Sequence, residues 1–304
     1  MNANATVATR HPDMLEKIEK GQGFIAALDQ SGGSTPGALK AYGISEDAFS
    51  NDDEMFGLIH QMRSRIITSP SFGSGKVIGA ILFEKTMDGQ ANGKSVPQLL
   101  WERGVVPFLK VDKGLADEVD GVQLMKPNPD LEALLDRANS KGVFGTKMRS
   151  VIKLANPTGI AAVVAQQFDE AKRILAKGLM PIIEPEVSIK SPERDAADRV
   201  MLAEILKQLG ALPEGERVML KLTLPAEAGL FQPLIDHPKV LRVVALSGGF
   251  SRQEACSELA KNPGMIASFS RALLSDLRAD QSDEEFDRTL ETAIDEIHSA
   301  SVAA

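Results

Sequence analysis

The stretch MPIIEPEVSIKSPERDAADRVMLAEILKQLGALPEGERVMLKLTL, residues 180 to 224, decides the fold. It begins with a short apolar run (180 to 187), continues with helical periodicity (192 to 209) and ends in a second apolar run (217 to 224). Two parallel strands need a crossover connection between them, and a helix is the usual one. The stretch therefore predicts a strand-helix-strand unit of a parallel sheet.

The same alternation recurs on both sides of this unit. The further β-rich runs are GFIAALD (23 to 29), VIGAILF (77 to 83), VVPFLKVD (105 to 112), VFGTKMRS (143 to 150), VLRVVALSG (240 to 248) and MIASFSR (265 to 271). Together with the first two runs they make eight strands, without a linker or a low-complexity insert. We therefore predict a single α/β domain over residues 1 to 304, a (β/α)8 TIM barrel, with an open doubly wound sheet as the alternative.

Helix boundaries carry local signals. Ser191 followed by Pro192 predicts the start of a helix, since serine caps well and proline suits the first turn. Ser251 with Glu254 and Ser282 with Glu285 match the capping box. We expect a C-terminal helix over about 282 to 298 and a short polar N-terminal extension over about 1 to 12. The other predicted helices cover 54 to 67, 130 to 140, 158 to 177 and 252 to 261.

Composition limits the classes of function. The chain has 34 basic and 42 acidic residues, a net charge of −8, which disfavours general binding to nucleic acid or to a membrane surface. A single cysteine, Cys256, and a polar N-terminus favour the reducing cytoplasm. The four histidines are widely scattered, so we expect no metal site and no metal cofactor. A homo-oligomer is compatible with the sequence, but no feature selects a subunit number.

Ionisable residues lie at the carboxyl ends of most of the predicted strands, where a barrel builds its active site. Residues two apart on a strand point the same way, so Lys147 with Arg149, and Glu184 with Glu186, can each face one interior. A structural ion-pair network is the alternative for any one of these charges. The strand-end residues are Asp29, Glu84, Lys110, Asp112, Lys147, Arg149, Glu184, Glu186, Lys221, Ser247 and Arg271.

Lys221 stands out because it lies in the apolar run VMLKLTL. Burial favours the neutral amine, which can attack a ketone and form an imine. An imine is an electron sink, so a neighbouring carbon-carbon bond could break without a metal, and Glu184 or Glu186 could move the proton. The alternative is that Lys221 extends to solvent while the glutamates pair with Lys147 and Arg149.

Two loops rich in small residues offer sites for anions. Ser247 and Gly248 follow the seventh strand, where barrels commonly bind phosphate, and Arg271 follows the eighth. The loop after the first strand carries Ser31 and Ser34. Each loop could be a simple tight turn. Two such loops on one face predict a ligand with two anionic ends.

The order of several motifs resembles the class I fructose-bisphosphate aldolases. The motifs are AALDQSGGS, VPFLKVDKG, GTKMRSVIK, PIIEPEV, MLKLTLP, ALSGGF and SFSRAL, between about residues 21 and 272. The resemblance implies a metal-independent enzyme that cleaves fructose 1,6-bisphosphate reversibly to dihydroxyacetone phosphate and glyceraldehyde 3-phosphate.

Residue roles follow from the same resemblance. Lys221 would form the imine and Glu184 would transfer the proton. Lys147 and Asp29 would polarise hydroxyl groups, and Glu186 would support the charges around the lysine. The substrate-binding residues would be Lys110 and Arg149, with Ser247, Gly248 and Arg271 at the ketone-end phosphate and Ser31 and Ser34 at the other end.

Some positions differ from the animal members of the family. The chain ends in Ser-Val-Ala-Ala instead of a tyrosine, and its single tyrosine is Tyr42, so we expect proton exchange without a C-terminal tyrosine. Ser270 stands where the animal pattern has glycine, and Gln30 where it has glutamate. These differences resemble the compact bacterial branch. Alternatives are another lysine-dependent sugar-phosphate aldolase, a transaldolase-like barrel, or a sugar-phosphate-binding or adhesion protein without catalysis.

Overall fold

A computed structural model describes residues 6–303. Eight parallel strands follow one another around a nearly closed barrel in chain order, as the sequence predicts, and the open doubly wound alternative is wrong. The strands are β1 Phe24–Leu28, β2 Val77–Leu82, β3 Val106–Lys110, β4 Gly145–Ile152, β5 Met180–Val187, β6 Val218–Thr223, β7 Val240–Leu246 and β8 Met265–Ala267. Their side chains are almost all buried, as expected for a parallel sheet covered on both faces.

Helices surround the strands and bury their apolar faces against them. The helices are α1 Val7–Arg10, α2 Pro12–Lys20, α3 Thr35–Ala41, α4 Asp52–Thr68, α5 Glu84–Asp88, α6 Val96–Glu102, α7 Leu131–Ser140, α8 Pro157–Ala176, α9 Arg194–Ala211, α10 Gln232–Ile235, α11 Arg252–Ala260, α12 Arg271–Leu274 and α13 Asp283–Ser301. Val7, Met14 and Ile18 from the first two helices pack into a second buried cluster with strand side chains.

Two short pairings lie outside the barrel order. Gln90–Ala91 pairs with Lys94–Ser95, and Val122–Gln123 adds antiparallel to the end of β4. Both extend loops between barrel elements rather than the barrel itself.

Two local predictions about boundaries are confirmed and two are wrong. Capping boxes form at Ser251 and at Ser282. Helix α9 begins at Arg194 instead of Pro192, because the Ser191 hydroxyl accepts the Glu193 N–H at 3.2 Å in a turn before the helix. The eighth strand ends at Ala267, and Arg271 is the first residue of the short helix α12.

The contact between β8 and β1 closes the barrel with few hydrogen bonds. The N–H of Ala27 donates to the carbonyl of Phe269 at 3.2 Å, whereas each other pair of neighbouring strands shares a parallel ladder of two to eight paired residues. On the β8 side, the Ala267 N–H donates to the Ser301 hydroxyl of α13 at 3.0 Å. The Ser301 hydroxyl therefore pairs a strand N–H of β8 that, within residues 6–303, has no partner on β1.

Candidate active site

A chain of buried ion pairs occupies the carboxyl ends of the strands. The Lys147 Nζ lies 2.7 Å from Asp29 Oδ2 and 2.9 Å from Glu184 Oε2, and the Lys221 Nζ lies 3.1 Å from Glu184 Oε1. The side chains of Lys147, Glu184 and Lys221 are each about 4 to 5% exposed, and that of Asp29 is 11% exposed. Glu184 therefore contacts both lysines while nearly excluded from water.

The expected alternation of side chains between the two faces of a strand explains these contacts. Lys147 and Arg149 lie two apart on β4, and Glu184 and Glu186 lie two apart on β5, which pairs with β4 in parallel. Lys147 meets Glu184, and the Arg149 guanidinium meets the Glu186 carboxylate at 3.1 Å. The two strands thus place both pairs on the same side of the sheet.

Asp112 joins the site from the loop after β3. Its Oδ1 lies 2.7 Å from the Lys110 Nζ, and its Oδ2 accepts the backbone N–H of Arg149 at 3.2 Å. Sequence reasoning counted this strand-end charge but gave it no role. The spacing Lys110-Val111-Asp112 was the available signal, because alternate residues of an extended segment share a face.

The charges of the cluster balance. The cations are Lys110, Lys147, Arg149 and Lys221, and the carboxylates are Asp29, Asp112, Glu184 and Glu186. Burial alone would lower the pKa of Lys147, but the carboxylates of Asp29, Glu184 and Asp112 raise it above its ordinary value. Burial raises the pKa of Asp29, and this is more than offset by Lys147 and Lys221, which hold it well below its usual range.

Glu186 differs from the other carboxylates. Burial raises its pKa, Arg149 opposes the rise, and the nearby charge of Glu184 adds to it. The pKa of Asp112 is lowered, because Lys147 and Lys110 outweigh the effect of its burial. The site therefore contains acidic groups whose environments move their pKa values in opposite directions, a frequent property of catalytic centres.

Gln167 of α8 holds the backbone of Glu184. Its Oε1 accepts the Glu184 N–H at 3.0 Å, and its Nε2 donates to the Glu184 carbonyl at 3.0 Å. The side chain is fully buried. No local sequence signal indicates this role, since a glutamine on a helix outside the strands resembles any other helical polar residue.

The loop after β7 and the start of α12 lie together. Ser247 is buried, Gly248 has φ +60° and Gly249 has φ +122°. A Cβ atom at Gly249 would lie 3.5 Å from a terminal guanidinium nitrogen of Arg271. Sequence reasoning grouped Ser247, Gly248 and Arg271, and the structure brings Arg271 to this loop from helix α12 rather than from a strand end.

The serines after β1 form a tight turn. The Ser31 N–H donates to the Ser34 hydroxyl, which in turn donates to the Ser31 carbonyl, both at 3.0 Å. The turn precedes α3 and is separated from Asp29 by one residue, Gln30. Glu84 takes part in another cluster, where its carboxylate meets Lys113 and Arg137.

Neither a metal-ligand cluster nor a membrane span is found in the part of the chain that the structure describes. Within residues 6–303, no three His, Cys, Asp or Glu side chains are grouped so that they could hold a metal ion. None of the described helices is both long and apolar enough to cross a membrane.

Comparisons with known proteins agree with the fold. The aldolase of Plasmodium falciparum, solved as "fructose-bisphosphate aldolase" in complex with TRAP and a small-molecule inhibitor, superposes with a TM-score of 0.78. The match covers 100% of this chain and 99% of that one at 19% identity. Cgl0159 from Corynebacterium glutamicum matches with a TM-score of 0.53 at 14% identity, over 95% of this chain and 92% of that one. At these identities the similarity establishes the barrel alone.

The sequence family and the fold together identify the chain as an aldolase, a lyase of the (β/α)8 barrel type. The sequence model of the family described as "Fructose-bisphosphate aldolase class-I" matches residues 15–221, which is more than half of the chain. The chain therefore belongs to the class I fructose-bisphosphate aldolase family.

Proposed function

We propose that the enzyme cleaves fructose 1,6-bisphosphate reversibly to dihydroxyacetone phosphate and glyceraldehyde 3-phosphate, through an imine on Lys221. One observation carries the proposal: the Lys221 amine lies 3.1 Å from Glu184 in a nearly dry centre, with a second lysine on the other oxygen of the same carboxylate. This arrangement supplies a nucleophile and a proton acceptor side by side.

In the forming step, the Lys221 nitrogen attacks the ketone carbon. The carbonyl oxygen takes up protons and leaves as water, and the iminium remains. Glu184, within hydrogen-bond distance of the amine, is suited to supply and accept these protons. Lys147 is positively charged between Asp29 and Glu184, so it stabilises the negative charge that develops on oxygen.

In the cleaving step, one end of the breaking carbon-carbon bond carries a hydroxyl group, and this hydroxyl loses its proton. The electron pair of that O–H bond forms the aldehyde carbonyl, and the electrons of the carbon-carbon bond move into the iminium to give an enamine. Glu184 is the proposed acceptor, with Asp29 and Lys147 orienting the hydroxyl group. Glu186, paired with Arg149, would keep the charge around Glu184 balanced.

Protonation of the enamine and hydrolysis of the iminium release dihydroxyacetone phosphate. We assign this protonation to Glu184, which holds the proton taken in the cleaving step, so that no C-terminal tyrosine is needed.

Ser247, Gly248 and Arg271 would bind the ketone-end phosphate, since the loop backbone and the guanidinium lie together. Lys110, Arg149, Ser31 and Ser34 would bind the other anionic groups.

The proposal extends to the setting of the reaction. We place the enzyme in the cytoplasm, in glycolysis or gluconeogenesis, with small sugar phosphates as its partners and a homo-oligomer as a possible assembly. The single cysteine and the net charge of −8 support this setting.

Borohydride trapping tests the function. Reduction in the presence of dihydroxyacetone phosphate is expected to inactivate the enzyme and to add the reduced three-carbon unit to Lys221, as read by mass spectrometry of peptides. Lys221→Met should abolish labelling, whereas Lys261→Met, a change of an exposed lysine paired with Glu258, should not. Labelling of another lysine, or turnover that a chelator stops, would contradict the proposal. Comparing fructose 1,6-bisphosphate with fructose 1-phosphate then decides the substrate.

A further inference from the structure

A hydrogen bond between side chains crosses the seam of the barrel next to the active site. The Gln30 Nε2 donates to the Ser270 hydroxyl at 2.5 Å. Gln30 follows Asp29 and precedes the serine turn after β1, and Ser270 directly precedes Arg271. The bond therefore connects the two segments proposed to bind the two phosphates.

The seam makes this contact more important than an ordinary surface hydrogen bond. The strands β8 and β1 occupy the two ends of the sheet order, and a backbone hydrogen bond runs between their segments from the Ala27 N–H to the Phe269 carbonyl. Elsewhere the ladders fix the spacing of neighbouring strand ends. At the seam the position of Ser270 relative to the β1 loop depends on few bonds.

A buried arginine fixes Gln30 in turn. The side chain of Arg63, on α4, is fully buried. Its Nη2 donates to the carbonyl of Gln30 at 2.5 Å and to the Gln30 Oε1 at 3.1 Å, and its Nη1 donates to the Thr86 hydroxyl at 2.8 Å. The planar guanidinium makes these bonds at fixed angles, so both the backbone and the side chain of Gln30 are oriented.

Arg63 is an unusual residue to bury for packing alone. A charge taken out of water is costly unless it is paired, and the hydrogen-bond partners of this guanidinium within residues 6–303 are neutral groups. Asp29, the neighbour of Gln30, opposes the lowering of the Arg63 pKa that burial causes. The nearby Asp29 carboxylate thus favours the charged form of Arg63.

We propose that Arg63, Gln30 and Ser270 form a positioning network that fixes Arg271 against the loop Ser247–Gly249 and so sets the affinity for the ketone-end phosphate. This inference rests on the proposed function for the identity of the substrate, but the geometry concerns a phosphate group of any source. None of the three residues is assigned a bond to substrate. They act through Arg271, whose guanidinium lies beside Gly249.

A double-mutant cycle with inorganic phosphate as the probe tests the network. The variants are Gln30→Met, which keeps the length of the side chain, Ser270→Ala, and the double variant, with binding measured by isothermal titration calorimetry. Each single change should weaken phosphate binding roughly three- to tenfold, the effect of one neutral hydrogen bond. The double variant should bind phosphate no more weakly than Gln30→Met alone, because Gln30→Met already removes the bond that Ser270→Ala removes. Ser275→Ala, at the end of α12, is the matched control and should bind as the wild type does.

A second readout separates positioning from general damage to the fold. In borohydride trapping, the concentration of dihydroxyacetone phosphate that gives half-maximal labelling should rise by the same factor in the variants. The rate at saturation should stay within roughly twofold of the wild type, since a loss of uniform binding raises KM without lowering kcat. Arg63→Lys, which keeps a charge but not the fork of donors, should show the same pattern.

The outcomes distinguish the two proposals. Three results would overturn the network. The effects of Gln30→Met and Ser270→Ala could multiply in the double variant, phosphate binding could be unchanged in both single variants, or the wild type could bind no phosphate. A merely structural role would lower the saturating rate of labelling and leave the half-saturating concentration of dihydroxyacetone phosphate unchanged. That result would also contradict the network. A different result would separate the two proposals. If Lys221 of the wild type is not labelled but the phosphate affinities of the wild type and the variants follow the predicted cycle, the aldolase mechanism is refuted and the network is supported.

Discussion

Replacing Glu184 with glutamine removes one negative charge from the centre of the site and keeps its shape. The carboxylate lies 2.9 Å from Lys147 and 3.1 Å from Lys221, and its side chain is 4% exposed. At an effective dielectric constant near 20, each contact represents about 5 kcal/mol of attraction. The change also removes the cost of burying the charge, so we expect a net loss of about 3 to 5 kcal/mol in the free energy of unfolding.

The effect on turnover should be similar in free energy to the effect on folding, since each tenfold in rate corresponds to about 1.4 kcal/mol. Glutamine cannot take the proton from the substrate hydroxyl, so kcat for cleavage should fall by about 10² to 10⁴, the contribution of a positioned general base. Steady-state cleavage of fructose 1,6-bisphosphate, measured well below the lowered thermal midpoint, gives this number. Chemical denaturation gives the stability.

Glu132→Gln is the matched control for this change. Glu132 pairs with Arg173 at 2.6 Å, but both side chains are substantially exposed, so its loss should cost less than about 1 kcal/mol and leave turnover unchanged. A Glu184→Gln enzyme that folds and turns over within tenfold of the wild type would refute the assignment of the proton transfer to Glu184.

Two other predictions concern a loop conformation and a buried acid. Gly249→Ala places a side chain at φ +122°, which should cost about 1 to 3 kcal/mol and weaken phosphate binding in calorimetry, whereas Gly210→Ala, in a helix with open space around it, should stabilise the protein by about 0.5 to 1 kcal/mol. A Gly249→Ala variant with wild-type stability and phosphate affinity would contradict this. Asp198 is fully buried, and burial raises its pKa to about 6, so its contribution to stability is favourable at low pH and is lost as the pH rises from about 4 through 6. Asp198→Asn should therefore raise the free energy of unfolding by about 1 to 3 kcal/mol at pH 8, with the difference shrinking toward pH 4 in urea titrations; a pH-independent difference would rule out the titration of Asp198 as its source.

The sequence predicted the barrel because its signals are local. Apolar runs such as those at β2 and β6 report burial directly, and the alternation of strand and helix restricts the topology to a parallel sheet. The parity of residues two apart predicted that Lys147 and Arg149, and likewise Glu184 and Glu186, share a face, and the contacts between β4 and β5 agree.

Sequence reasoning was less accurate where the backbone turns. The helix after β5 starts two residues later than the Ser191-Pro192 signal indicates, because the Ser191 hydroxyl bonds within its own turn. The eighth strand is shorter than its apolar run, and Arg271 reaches the loop of Gly249 from a helix. Local patterns state which residues favour a turn, but they do not state which of several hydrogen bonds that turn forms.

By itself, then, the sequence determined the eight strands, the polar residues at their ends and the lysine in an apolar run. The tertiary structure alone decided which partner each polar group meets: Glu184 between Lys147 and Lys221, Asp112 on the backbone N–H of Arg149, and Gln30 between Arg63 and Ser270. The physical reason is that the periodicity of apolar residues and the positions of polar residues are local properties of the chain. The partner of each polar side chain depends instead on strand register and on the closure of the barrel. Both of these depend on contacts between distant segments, such as Gln30 and Ser270, which are 240 residues apart.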